Sequence, residues 1–299
     1  MNTQTKLAIV SISLVIPLVS LVIYSTDSPQ QFKSNDTLKL QVISSFYPLH
    51  EFSQYIGQDK IDTILLVPVG VEPHDWEPTI KDVQRIQKSD LIIINGIGFE
   101  HWVENFDKKN YRGKIIDTSS GIKIKNLGEL NDLGDPHIWL NPVYAKTQVQ
   151  TIANAFSESD PKNQQFYQNN AASYIDKLNE LDLKIRDELS NCDNDFIAFH
   201  DAFSYFADEY NLNQHTIIPS NNPHGEPTAK TLEHIISLAQ KLNIHIIYGE
   251  ENTDSRTSKV IANEIGGRVL TLSTLEVDSD GTYFSKMSTN LDYLKESLC

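Results

Sequence analysis

The chain is poor in cysteine and in basic charge. Its only cysteines among 299 residues are Cys192 and Cys299. Two thiols so far apart do not form a CxxC metal motif. They can pair if the chain is exported to an oxidising compartment, or be one buried thiol and one at a frayed C-terminus. Lys and Arg number 25 against 40 Asp and Glu, a net charge of −15. A surface that acidic repels phosphates, which argues against nucleic acid as a partner, and it concentrates cations. There is no HExxH, no defensible Ser/His/Asp order, no lipobox cysteine, no small-x-small cleavage site and no short-period repeat.

One long apolar run is present. Leu7–Tyr24 is uncharged, follows a single lysine, and is 18 residues long. That length is near the lower limit for a spanning helix and above a usual signal-peptide core. We read residues 1–37 as an export signal retained as a membrane anchor, followed by a polar tether over 25–37. The rest of the chain is then expected outside the cytoplasmic membrane.

Beyond the tether, strand and helix patterns alternate. Strands are expected at 38–46, 61–70, 90–98 and 113–119, with helices at 48–57 and 79–89. The continuous apolar run in DLIIINGIG suits a parallel strand covered on both faces. Asp160 and Pro161 mark the start of one long helix, 160–190, of roughly 40 Å at ~1.5 Å per residue. Strands at 195–201, 244–250 and 268–274 then alternate with helices at 228–243, 256–266 and 282–298. The expected architecture is α/β: an N-terminal lobe over 38–159, a linking helix over 160–190, and a C-terminal lobe over 191–299.

Three histidines fall at comparable places. His74 lies in GVEPHDWEPT after a strand, His137 in the Pro-rich DPHIWLNP, and His200 at the end of DFIAFH. In open α/β sheets, ligands bind beyond the carboxyl ends of strands. Three neutral imidazoles meeting there suit a borderline metal ion. Each has an acid beside it in sequence, Asp75, Asp135 and Asp201, which can fix the second ring nitrogen. Trp76 and Trp139 each follow a histidine by two positions and can wall the site from water.

GVEPHDWEPT, DPHIWLNP, AFHDAFSYFADEYNL and GEPTAKTLEHII resemble the solute-binding proteins of zinc and manganese ABC importers, the cluster A-I group (bacterial solute-binding protein family 9). The resemblance runs from about Leu38 to Leu298. It implies two α/β lobes joined by a rigid helix, a metal held between them, and delivery to a membrane permease by a monomeric carrier with no catalysis. It implies His74, His137 and His200 as metal ligands. The family often has an aspartate in a string like LDPLG, where this chain has LSTLE with Ser273 at the aspartate position. Glu276 is then the expected fourth ligand, with Asp278, Glu250, Glu251 or water as alternatives. A third histidine, where some members have glutamate, favours Zn2+ over Mn2+. The His-rich loop of many zinc-specific relatives is absent, since 119–134 holds no histidine. His50 and His224 are the other histidines expected nearest the cleft. The rival readings are a zinc hydrolase, a surface adhesin, and a long-helix binding protein for a siderophore or corrinoid.

Overall fold

The apolar runs become parallel strands, and the computed structural model describes them over residues 39–126, 134–218, 225–251, 255–277 and 280–299. These residues belong to one compact unit, Ser34–Cys299. The expected anchor and tether, together with His224 and Asp278, lie outside the described residues. Among the described residues, no helix is long and apolar enough to cross a membrane.

The first sheet holds β1 (Leu40–Ser44), β2 (Ile61–Leu65), β3 (Leu91–Ile94) and β4 (Lys114–Asp117) in the order β2-β1-β3-β4. The second holds β5 (Asp195–His200), β6 (Asn213–Ile218), β7 (Ile246–Glu250) and β8 (Arg268–Leu272) in the order β6-β5-β7-β8. All pairings are parallel. Both sheets thus follow one scheme, with the order reversing between their first and third strands. That is where side chains from separate loops can meet.

The helices are α1 (Tyr47–Gly57), α2 (Ile80–Ile86), α3 (Trp102–Asn105), α4 (Pro142–Ser159), α5 (Gln164–Leu189), α6 (Ser204–Glu209), α7 (Ala229–Leu242), α8 (Arg256–Glu264) and α9 (Tyr283–Leu298). The 26-residue α5 is the expected long helix, starting four residues later than Asp160. Pro161 begins a separate 3-10 turn, Pro161–Asn163, that reverses the chain after α4. Tyr167, Ala171, Tyr174, Leu178, Leu181, Ile185 and Leu189 form its buried stripe at helical spacing. Tyr167 faces the core, and the neighbouring Phe166 is partly buried and packs against it from the side.

One apolar core runs through the inner faces of both sheets, α1, α4, α5 and α9. A smaller cluster on the far side of the second sheet joins Ile197, Phe199 and Ile247 to Ile235, Ala239 and Ile261 of α7 and α8. Cys192, just after α5, is disulfide-bonded to Cys299 at the end of α9, with 4.6 Å between their Cα atoms.

Glu51 of α1 ties three elements together. It accepts from Tyr47 Oη at 2.6 Å, from Tyr174 Oη of α5 at 2.9 Å, and from the Tyr283 backbone N–H of α9 at 2.6 Å. The last bond satisfies a donor that α9 cannot use internally at its first turn. The two lobes are thereby joined through one carboxylate as well as through the long helix.

Candidate metal centre

His74 sits in the loop between β2 and α2. The loop leaves β2 still paired, with Leu66 and Val67 donating to the carbonyls of Ser44 and Ser45 at 2.9 and 3.0 Å. Pro68 and Gly70 then turn it, and Gly70 has a φ of +78°, a conformation that favours glycine. The loop ends in a capping box between Thr79 and Asp82 that starts α2. Its two ends are fixed, so His74 is presented from a short, anchored span.

DPHIWLNP is a second anchored loop. Asn95 Nδ2 donates to the Pro136 carbonyl at 2.8 Å, Ile138–Leu140 makes one 3-10 turn, and Asn141 caps α4 by accepting from Val143 N at 2.8 Å. Pro142 opens α4, where its missing N–H costs nothing. Trp139 is fully buried, with its ring 5.2 Å from that of His137. Its Nε1–H donates to the Thr274 carbonyl at 2.8 Å, linking this loop to the one after β8.

His200 is the last residue of β5 and Glu276 follows β8. The segment 273–277 is clamped by Asn290 of α9. Asn290 Oδ1 accepts from Ser273 N and its Nδ2 donates to Ser273 O, both at 2.8 Å. Lys286 Nζ donates to the Val277 carbonyl at 3.3 Å. Leu275 has a φ of +57°, which turns the chain sharply and brings Glu276 back under the cleft.

One ligand atom from each of His74, His137, His200 and Glu276 lies within 4.8 Å of the other three, and all four residues are buried. His74 Nε2 is 3.3 Å from His137 Nε2 and from Glu276 Oε1. His137 Nε2 is 3.2 Å from Glu276 Oε1 and 3.3 Å from His200 Nε2. Four ligand atoms held about 2.0–2.1 Å from a central ion at tetrahedral angles stand about 3.3–3.4 Å apart. Four of the six edges here have that length. The first lobe supplies His74 and His137, and the second supplies His200 and Glu276.

The ring nitrogens facing away from the centre are held. His137 Nδ1 donates to Asp135 Oδ1 at 2.7 Å, and Ser204 donates to the other oxygen of Asp135. His200 Nδ1 donates to Glu250, which also accepts from the His200 backbone N–H at 3.0 Å. A carboxylate can only accept, so the Nδ1 of His137 and of His200 each carries a proton, and their Nε2 atoms are the ones left to meet an ion once free of a proton of their own. Asp135 therefore acts as expected. The acid beside His200 is Glu250 of the neighbouring strand, in place of Asp201. Glu250 is an orienting partner here and stands outside the four-residue cluster.

Charge follows this wiring. Burial lowers His74 below the ordinary imidazole range, against the pull of Glu276. Burial acts the same way on His137, but the Asp135 bond and charge, helped by Glu276, lift it to about 10. His200 is raised because the Glu250 charge and hydrogen bond outweigh burial. Burial works to raise Glu276, yet the surrounding imidazoles hold it well below the usual carboxylate range. Glu72, at the rim, is pushed up to about 8 by burial and by Glu276.

Several expectations change in detail. Trp76 packs edge-on against Trp102, with 6.4 Å between ring centroids. The ring against His74 is Phe99, at 4.8 Å. The Ser273 hydroxyl donates to Glu251 at 2.9 Å, so both belong to a network beside the cluster. His50 sits against Thr63 of β2, outside the cluster, and burial lowers it to about 4. Phe99, Thr274 and Asn290 were not singled out from the sequence. Of these, Asn290 left a trace, as a polar residue in register with the buried Met287, Leu291 and Leu294.

Known proteins match this chain over most of its length. The profile of the family described as "Zinc-uptake complex component A periplasmic" matches residues 42–297. The high-affinity zinc uptake system protein ZnuA of Bacillus subtilis is 38% identical over 87% of this chain and 88% of that protein. The zinc-binding protein AdcA of Streptococcus pyogenes serotype M1 is 31% identical over 86% of this chain, which spans 56% of that longer protein. A solved structure of the laminin-binding protein Lmb of Streptococcus agalactiae, described as having adhesin and metal-transporting activity, superposes with a TM-score of 0.81. It is 26% identical and covers 87% of this chain and 99% of that one. With both lobes, the long helix and nearly the whole described length accounted for, the chain belongs to the zinc-uptake component A family of solute-binding proteins.

Proposed function

We propose that this protein is the extracytoplasmic binding component of a metal ABC importer, capturing Zn2+ between its lobes and handing it to a membrane permease. The observation that carries the reading is the cluster itself: three inward Nε2 atoms and one carboxylate oxygen, four of whose six separations match the edge of a tetrahedral ion. His74, His137, His200 and Glu276 are the ligands in this reading. Zinc is the cargo, and Mn2+ is the weaker alternative because the donors are rich in nitrogen and poor in oxygen. The family description and the names of the relatives point to zinc as well.

Capture and release follow from the way the ligands are divided. Two come from each lobe, so a small separation of the lobes leaves the ion with half its donors. The unit works as a monomer with no catalytic step and no nucleic-acid partner. In functional terms 1–37 is anchor and tether, 38–159 and 191–299 are the two lobes, and 160–190 spans them.

The adhesin activity ascribed to the Streptococcus agalactiae neighbour supports a second, additional role at the surface. Chelation separates the two roles, because it abolishes carriage and leaves adhesion to matrix proteins intact. The direct test is zinc and manganese titration of the purified chain. One tightly held zinc per molecule, displaced only by large excess manganese, is expected. A chain that binds no zinc overturns the reading.

A further inference from the structure

The carboxylate of Glu276 has two oxygens with different surroundings. Oε1 faces the centre, 3.3 Å from His74 Nε2 and 3.2 Å from His137 Nε2. Oε2 accepts from the Thr274 hydroxyl at 3.0 Å. Thr274 is only 6% exposed, so no bulk water replaces that partner. It cannot swing aside, because its carbonyl is tied to Trp139 Nε1 at 2.8 Å and the preceding residue is clamped by Asn290. As a β-branched residue it also has few alternative rotamers.

The geometry points to Thr274 as a specificity-determining residue: its hydroxyl holds Oε2 off the metal, so Glu276 binds through one oxygen and the ion stays four-coordinate. This rests on the metal-carrier reading above. A carboxylate that chelates with both oxygens adds a fifth donor, and hard oxygen-seeking ions such as Mn2+ profit from it. Zinc needs no more than four ligands at a closed site. Turning Glu276 to chelate would break the bond to Thr274 and leave a buried hydroxyl without its acceptor. Water offers no easy substitute, since His74, His137, His200 and Glu276 are at most 9% exposed. The residue does not touch the metal, and it acts through the ligand beside it.

The test compares the full chain with Thr274→Val, which keeps the shape and removes the hydroxyl, and Thr274→Ser, which keeps the hydroxyl. Zinc and manganese affinities are measured by competition, and Co2+ serves as an optical probe. In the unaltered chain, cobalt should give the strong visible absorption of a four-coordinate ion. Thr274→Val should weaken that absorption and lower the zinc-over-manganese preference about tenfold, the usual size of an effect from a ligand's hydrogen-bonding partner. Thr274→Ser should restore both. An unchanged preference and unchanged cobalt spectrum in Thr274→Val overturn the role of the hydroxyl. A weak, five- or six-coordinate cobalt spectrum in the unaltered chain overturns it without any variant. A chain that binds zinc tightly but fails these tests leaves the carrier reading standing, whereas one that binds no zinc ends both.

Discussion

At the scale of single residues, His137 and His200 turn Nε2 to the centre because a carboxylate fixes the far nitrogen of each ring. Removing the His137 ring takes away a donor to the ion and one of the hydrogen bonds that Asp135 accepts, leaving that buried carboxylate less well satisfied. His137→Ala is therefore expected to lower zinc affinity at least about tenfold, with the far-ultraviolet circular dichroism of the fold retained. An unchanged titration would take His137 out of the site. The histidines were legible because each stands at a strand end or in a Pro-stiffened loop with an aromatic close by. The orienting partner of His200 was not. Glu250 is 50 residues away and reaches it only because β5 and β7 pair in parallel. Thr274 was equally hidden, since its importance lies in which carboxylate oxygen it meets, and spacing along the chain does not encode that.

Among the elements, the loops matter more than the strands that launch them. Expected strands over 61–70 and 90–98 stop at Leu65 and Ile94. Pro68 lacks a donor for further pairing, and Gly96 has a φ of +89°, which an extended strand does not adopt. The short strands β6 and helices α3 and α6 left no clear periodicity. Asn213–Ile218 begins with polar residues at a sheet edge, where propensity says little. The length freed after Leu65 leads into the loop that carries His74, and the length freed after Ile94 carries Asn95, which holds the Pro136 carbonyl beside His137. Thr79 fastens the His74 loop to α2 through its capping box, so Thr79→Ala should cost about 0.5–2 kcal/mol of stability. Denaturant unfolding of the metal-free protein measures this, and an unchanged midpoint would show that the cap holds nothing.

For the whole molecule, pH and metal are linked. In the metal-free protein His137 keeps its proton up to about pH 10. Zinc must displace that proton, so falling pH favours the competitor and zinc affinity drops, by about tenfold per pH unit for one proton released. Calorimetry in two buffers of different ionisation enthalpy should count at least about one proton per zinc, with His200, also raised, adding to it, and a count of zero would contradict a charged His137. Folding of the metal-free protein has its own sign. A pKa raised above the unfolded value near 6.5 stabilises fully below that pH, and the contribution fades as pH rises through about 10. The two-lobed plan and long helix were readable from alternation and one long apolar stripe, whereas the pairing of Cys192 with Cys299 was left open because α9 had to be placed first. Replacing both cysteines by serine should lower stability by about 2–5 kcal/mol, and a melting temperature unmoved by reductant would dismiss that contribution.

The same bridge turns most of the second lobe into a loop of covalent bonds, since everything from Asp193 to Leu298 lies between its two ends, which are also joined by a 2.8 Å backbone hydrogen bond. A protease that severs one peptide link inside that ring frees no fragment. On an electrophoresis gel the nicked chain would migrate as a single band until a thiol is added, and only then fall into two.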